Sequence, residues 1–140
     1  MASLVQLELD EKDKENLQEL QQEIAKAEVE LQQTQLKLRT RNAEARHSQL
    51  TLAELASVPD ETKAYEQVGK MFLLKPITEL KSALTENVEA SAKDVASLTE
   101  KKTHQEEAYK KVKEDFQEFV KAHVVEQKEG EGSGEGSKKE

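Results

Sequence analysis

The stretch Tyr65-Glu66-Gln67-Val68-Gly69-Lys70-Met71-Phe72-Leu73-Leu74 restricts the fold of this 140-residue chain more than any other. It reads as two strands around a tight turn, in a sequence whose remainder is spaced for helices. Val68-Gly69-Lys70-Met71 puts glycine at the first central position of a two-residue turn, the type II′ arrangement. That turn sets Gln67 opposite Phe72, Glu66 opposite Leu73 and Tyr65 opposite Leu74. Side chains alternate between faces, so Tyr65, Phe72 and Leu74 share one face and Val68, Met71 and Leu73 share the other. A lone hairpin is marginal in water. Helices of the same chain can cover one apolar face, but hardly both. The second face and the free edges therefore predict pairing with strands of other chains in a larger sheet or barrel. These six apolar residues are the candidate oligomer interface; a connector packed on its own helices is the alternative.

The flanking segments predict a mostly α, antiparallel two-helix coiled coil with this one hairpin between the helices. Leu17, Leu20, Ile24, Ala27, Leu31, Thr34 and Leu38 recur at alternating steps of 3 and 4, the heptad seam of a coiled coil. Arg41 and Ala45 come next on the seam and weaken it toward the hairpin. Ser3 and Gln6 have capping-box spacing, which predicts a first helix over 3–48. Thr51 and Glu54 repeat that spacing and predict a separate short helical turn over 51–57 before a turn at Pro59-Asp60-Glu61. The hairpin follows over 63–75. Pro76 suits the opening turn of a second helix over 76–127. Its seam runs Ile77, Leu80, Leu84, Val88, Ser91, Val95, Leu98, Lys102, Gln105, Tyr109, Val112, Phe116 and Phe119, with a stutter at Leu84 to Val88. Ser91, Lys102 and Gln105 are polar positions that weaken its middle. One domain over 1–128 is expected, with a flexible Gly/Ser/Glu/Lys tail over 129–140.

Two helices of similar length around a compact connector should fold back on each other. That would bring Leu4, Val5, Leu7 and Leu9 beside Phe116, Phe119, Val120, Val124 and Val125, an apolar end on a mostly polar rod.

Composition supports this reading and excludes others. Charged residues make up 36% of the chain and hydrophobic ones 35%, too lean for an ordinary globular core but suited to helices that bury a narrow stripe. There is no cysteine, so disulfides and thiolate metal sites are excluded. No segment approaches the roughly 20 apolar residues of a membrane span, and no secretory signal stands at the N-terminus. A cytoplasmic protein is the expectation. The net charge of −8 argues against general nucleic-acid or anionic-membrane binding. His47, His104 and His123 are scattered, the carboxylates lie on wet surfaces, and no glycine-rich phosphate loop is present. No enzyme activity, metal or cofactor is expected.

The order helix, hairpin, helix resembles the beta-type subunits of prefoldin. Leu50-Thr51-Leu52-Ala53-Glu54-Leu55, Pro59-Asp60-Glu61-Thr62 and Tyr65 to Leu74 carry the resemblance. It implies a heterohexamer in which two alpha-type and four beta-type subunits join their hairpins into a double β-barrel. The coiled-coil tips of that complex hold unfolded proteins such as actin and tubulin and pass them to the cytosolic group II chaperonin without ATP. On this reading Leu4, Val5, Leu7, Leu9, Phe116, Phe119, Val120, Val124 and Val125 are the candidate client contacts. Phe116 and Phe119 fall on the seam and serve equally well to close the coiled coil; the others fit the seam poorly. The alternative is a structural scaffold or tether in a prefoldin-like assembly.

Two charged surfaces take plainer readings. Glu11, Glu15, Glu19 and Glu23 form an acidic ridge, read as a solvated face partly offset by Lys110, Lys111 and Lys113, with electrostatic steering of basic clients or of the chaperonin as the alternative. Lys37, Arg39, Arg41 and Arg46 form a basic patch without stacking aromatics, read as a solvated face or as partners in inter-subunit ion pairs.

Overall fold

The computed structural model describes residues 7–124. Four elements follow in order: α1 (Glu11–Ala56), β1 (Ala64–Val68), β2 (Met71–Lys75) and α2 (Ile77–His123). The described residues fall into two compact units, one formed by residues 7–26 and 109–124 and the other by Ala27–Ala108.

In the larger unit the helices run antiparallel, as two cross-helix contacts of one register demonstrate. Arg41 Nε lies 3.2 Å from Asp94 Oδ2, and Asn87 Nδ2 donates to Ser48 Oγ at 3.0 Å. The protected α1 positions are Ala27, Leu31, Thr34, Leu38, Ala45, Ser48, Thr51, Leu52 and Leu55. Facing them on α2 are Ile77, Leu80, Leu84, Val88, Ser91, Val95, Leu98, Lys102 and Gln105, the heptad seam with its four-residue stutter. Most of these side chains are only half-buried, each contributing on the order of 1 kcal/mol. Among the described residues Ile77 is the single fully buried hydrophobic residue, at 2% exposure.

The seam is not lost near Arg41. Arg41 itself turns out to solvent, where it reaches Asp94 and also Glu44 Oε2 at 2.9 Å. The stripe resumes at Ala45 and continues to Leu55. Among the described residues Thr34, Ser48 and Ser91 are the buried polar positions, and their small size lets the helices approach. Thr34 Oγ1 bonds the Glu30 carbonyl at 3.0 Å. Lys102 keeps its stem on the seam and carries its amine out to Glu106, 3.6 Å away.

The predicted helix boundaries need correction at both ends of α1, and α2 ends at His123, with Val124 already in a bridge, not at residue 127. The helix begins at Glu11, not Ser3, because Asp10 caps it: the Asp13 amide donates to Asp10 Oδ1 at 2.7 Å, and the Lys14 amide to the Asp10 carbonyl at 3.0 Å. Residues 7–10 are non-helical, and Ser3 lies outside the described residues. The separate helical turn over 51–57 does not exist either. Thr51 Oγ1 bonds back to the His47 carbonyl at 2.9 Å, so its hydroxyl is spent inside a continuous helix and caps nothing. α1 stops where Ser57 Oγ takes the Glu54 carbonyl at 2.8 Å, two residues before Pro59. The turn at Pro59 is as expected, with the Thr62 amide bonded to the Pro59 carbonyl at 3.0 Å. The Pro76 carbonyl accepts the Glu79 and Leu80 amides at 3.1 and 3.2 Å and so opens α2. The predicted tail over 129–140 lies outside the described residues.

Ser91 is 1% exposed, and its hydroxyl has no hydrogen-bond partner among the described residues. An unsatisfied buried hydroxyl costs about 1–3 kcal/mol. Ser91→Ala should therefore stabilise the chain, by about 1 kcal/mol, with a higher thermal midpoint in circular dichroism.

Candidate assembly and binding surfaces

Two surfaces carry the candidate functional residues, the hairpin in the larger unit and the chain ends in the smaller one. The hairpin has the predicted register: Tyr65 pairs with Leu74, Glu66 with Leu73, Gln67 with Phe72 and Val68 with Met71. Gly69 has φ +63°, and no other described residue has positive φ, as a type II′ turn requires. Tyr65, Val68, Met71, Phe72, Leu73 and Leu74 are between 45% and 67% exposed. Both apolar faces thus stand open, and the hairpin does not pack on its own helices as a simple connector would. Only Ala64, Glu66 and Lys75 are half-covered, at its base. There the Lys81 amine sits 3.4 Å from Asp60 Oδ1.

The edges are open as well. A two-residue turn closes on a hydrogen-bonded pair, here Val68 with Met71, and pairs alternate from there. The amides of Tyr65, Gln67, Phe72 and Leu74 therefore point away from the partner strand. They are the donors an added strand would use.

Sequence reasoning missed an ion pair on this hairpin. Glu66 and Lys75 sit diagonally across the two strands, on the face of Val68, Met71 and Leu73, and their charged groups are in contact. The hydrogen bond that the Lys75 amine donates to Glu66, then the Glu66 charge, raises the Lys75 pKa above its ordinary value. The alternation of strand residues together with the turn register would have revealed the pair.

At the chain ends, Leu7 and Val124 form an antiparallel bridge, and the Glu8 amide donates to the His123 carbonyl at 3.2 Å. His123 stacks on Phe119 with ring centres 4.2 Å apart, and its Nε2 lies 3.3 Å from Asp13 Oδ2. Leu7, Leu9, Phe116, Phe119, Val120 and Val124 are all half-buried in this neighbourhood. The structure therefore gathers the apolar candidates but partly covers them, in contrast to the hairpin. Leu4, Val5 and Val125 lie outside the described residues. A small open groove beside Phe119 is lined by Asn16, Glu19, Leu20 and Glu23.

The charged surfaces differ from expectation in their pairing. Glu11, Glu15, Glu19 and Glu23 are exposed, but the lysines do not reach them. Lys110 pairs with Glu114 on its own helix at 3.9 Å, and Lys113 sits over the Tyr109 ring. Among the described residues no helix is long and apolar enough to cross a membrane, and no cluster of three or more His, Cys, Asp or Glu side chains could hold a metal.

A coiled coil with one uncovered hairpin between its helices is a distinctive fold, and comparison with known proteins gives the class a name. A family model described as prefoldin subunit matches residues 15–123. Prefoldin subunit 1 of Tetraodon nigroviridis is 30% identical over 114 residues, covering 81% of this chain and 93% of that protein. Prefoldin subunit 1 of Homo sapiens is 29% identical over 122 residues, or 87% of this chain and 97% of that protein. The crystal structure of the prefoldin beta subunit from Thermococcus strain KS-1 superimposes with a TM-score of 0.65 at 18% identity, over 75% of this chain and 92% of that one. The chain belongs to the prefoldin subunit family, and its single hairpin between two helices is the fold of the prefoldin beta subunit.

The Glu66–Lys75 contact gives the hairpin a pH dependence. Because the Lys75 pKa is raised on folding, the pair's contribution is complete below the ordinary lysine value of about 10.4 and is lost as pH climbs through the raised value. Nitrogen-15 NMR titration of the Lys75 amine should give a midpoint above that of the same amine in Glu66→Gln.

Proposed function

We propose that this chain is one subunit of a heterohexameric, ATP-independent chaperone that holds unfolded proteins and delivers them to the cytosolic group II chaperonin. Its hairpin joins those of alpha-type and other beta-type prefoldin subunits in a double β-barrel. The observation that carries this reading is the exposure of Tyr65, Val68, Met71, Phe72, Leu73 and Leu74 on both faces of two strands with open edges. Apolar area of this kind, on strands too few to be stable alone, is what a shared barrel covers. Family membership supports the same assignment. The clients, actin and tubulin among them, would meet Leu4 to Leu9 and Phe116 to Val125. That part is supported by the apolar character of the chain ends and, among the described residues, by the slight backbone pairing of residues 7–8 with 123–124, a single bridge in which the Glu8 amide bonds the His123 carbonyl. Ends held so lightly can open and grip an apolar segment without reading its sequence. The lack of a nucleic-acid or anionic-membrane partner agrees with the net charge of −8.

The half-burial of Phe116, Phe119, Val120 and Val124 favours a second reading, in which these residues only close a scaffold coiled coil. Activity separates the two. A complex assembled with a chain that lacks residues 1–9 and carries Val120→Ser and Val124→Ser keeps the Asp10 cap and the seam. It should suppress aggregation of unfolded actin several-fold less well than the complete complex. Equal suppression would leave the scaffold reading standing.

Assembly is tested separately. Phe72→Asp combined with Leu73→Asp places a carboxylate on each hairpin face. The variant should fail to co-purify with an alpha-type subunit while keeping its helical circular dichroism, and undiminished co-purification would sink the barrel assignment.

A further inference from the structure

Three large hydrophobic side chains outside the hairpin are exposed: Val29, Leu36 and Leu50, at 52%, 65% and 59%. Together with Ala43 they recur at steps of seven residues, so they lie in one line along α1. Relative to the seam at Leu31, Leu38, Ala45 and Leu52 this is the outward heptad position, the one farthest from the partner helix. Ordinary coiled coils keep that position polar. α2 does so: its equivalent outward residues in this unit are Lys93, Glu100 and Glu107, all exposed. The apolar line is therefore particular to α1 and not a property of the composition.

Its electrostatic setting is equally particular. Arg39 and Arg46 flank the line, are exposed, and form no ion pair among the described residues. Arg41, by contrast, is held by Glu44 and Asp94. The acidic residues of this stretch, Glu28, Glu30 and Glu44, sit toward the flanks, and none stands on the outward face between Val29 and Leu50. In a chain of net charge −8 that leaves a locally basic, locally apolar strip.

We propose that the outward face of α1 from Val29 to Leu50 is a docking surface for an acidic amphipathic helix of a partner protein. The seven-residue step is what a second helix winding along α1 meets. Val29, Leu36, Ala43 and Leu50 supply the apolar contacts, and Arg39 and Arg46 receive carboxylates on the incoming helix. The strip spans about 32 Å, at 1.5 Å per residue, long enough for about three heptads of contact. A membrane surface is a poorer fit, because interfacial helices bury a broad apolar face and this one is a single residue wide. This surface is distinct from the hairpin and from the chain ends.

The test uses the full chain with a photo-cross-linking residue in place of Ala43, or of Glu107 as a control on α2. The probe is a synthetic helix about four heptads long, with leucine at its inner positions and glutamate beside them; a second peptide carries lysine for glutamate. The acidic peptide should be captured at position 43 and not at 107, and the basic peptide at neither. Leu36→Glu with Leu50→Glu, and separately Arg39→Glu with Arg46→Glu, should each weaken binding at least tenfold. Helical circular dichroism should not change, since all four residues are exposed. Equal binding by these variants, equal capture of both peptides, or capture at 107 would overturn the proposal. Cross-linking at 43 to a second copy of this chain, or capture by anionic vesicles in place of the acidic peptide, would overturn it also.

Discussion

Backbone pairing between two five-residue strands governs this molecule, because it fixes side chains that the chain cannot bury. A type II′ turn at Gly69 sets the register, the register sets the faces, and both faces come out apolar. In water such a hairpin holds little stability of its own. Among the described residues it is anchored at its base, by the Pro59 turn, the Lys81–Asp60 contact, and buried Ile77 at the start of α2. The surface that would be a liability in a monomer is thereby displayed in one orientation, and the proposed barrel would cover it with other strands.

The helices solve a different problem. They hold two long segments together through a seam one or two side chains wide, with small polar residues where packing is tightest. Thr34 and Ser48 are satisfied there and Ser91 is not, so the tightest points are not the most stabilising ones. A seam of this kind has little surplus stability, which suits a chain whose ends are joined, among the described residues, by a single backbone bridge and the Asp13–His123 contact.

Much of this was legible in the residues. The hairpin register followed from Gly69 and the alternation around it, and every predicted α2 seam position from Ile77 to Phe119 is protected. Helix boundaries were not legible to the same degree, because a capping pattern is local and several sites compete for the role. Asp10 with Asp13 outcompeted Ser3 with Gln6, and Thr51 found the His47 carbonyl inside an unbroken helix. Among the candidate site residues, exposure of one hairpin face could be foreseen, since the chain's own helices can hardly cover both; that both faces stand open was not legible. The half-burial around Phe119 depended on the stacking of His123 and on the bridge from Leu7, neither of which has a periodic signature. The line of Val29, Leu36 and Leu50 was present in the sequence at seven-residue steps, but the stronger seam beside it masked it.

The claim that the hairpin is an assembly element is tested most directly at its outward amides. Hydrogen exchange can be followed by NMR at Tyr65, Gln67, Phe72 and Leu74, first in the chain alone and then after assembly with an alpha-type prefoldin subunit. If the hairpin enters a larger sheet, the outward amides of at least one strand should slow by orders of magnitude, while Val68 and Met71, already paired, change less. Unchanged exchange at all four positions in a complex that has formed would place the interface elsewhere and contradict the account.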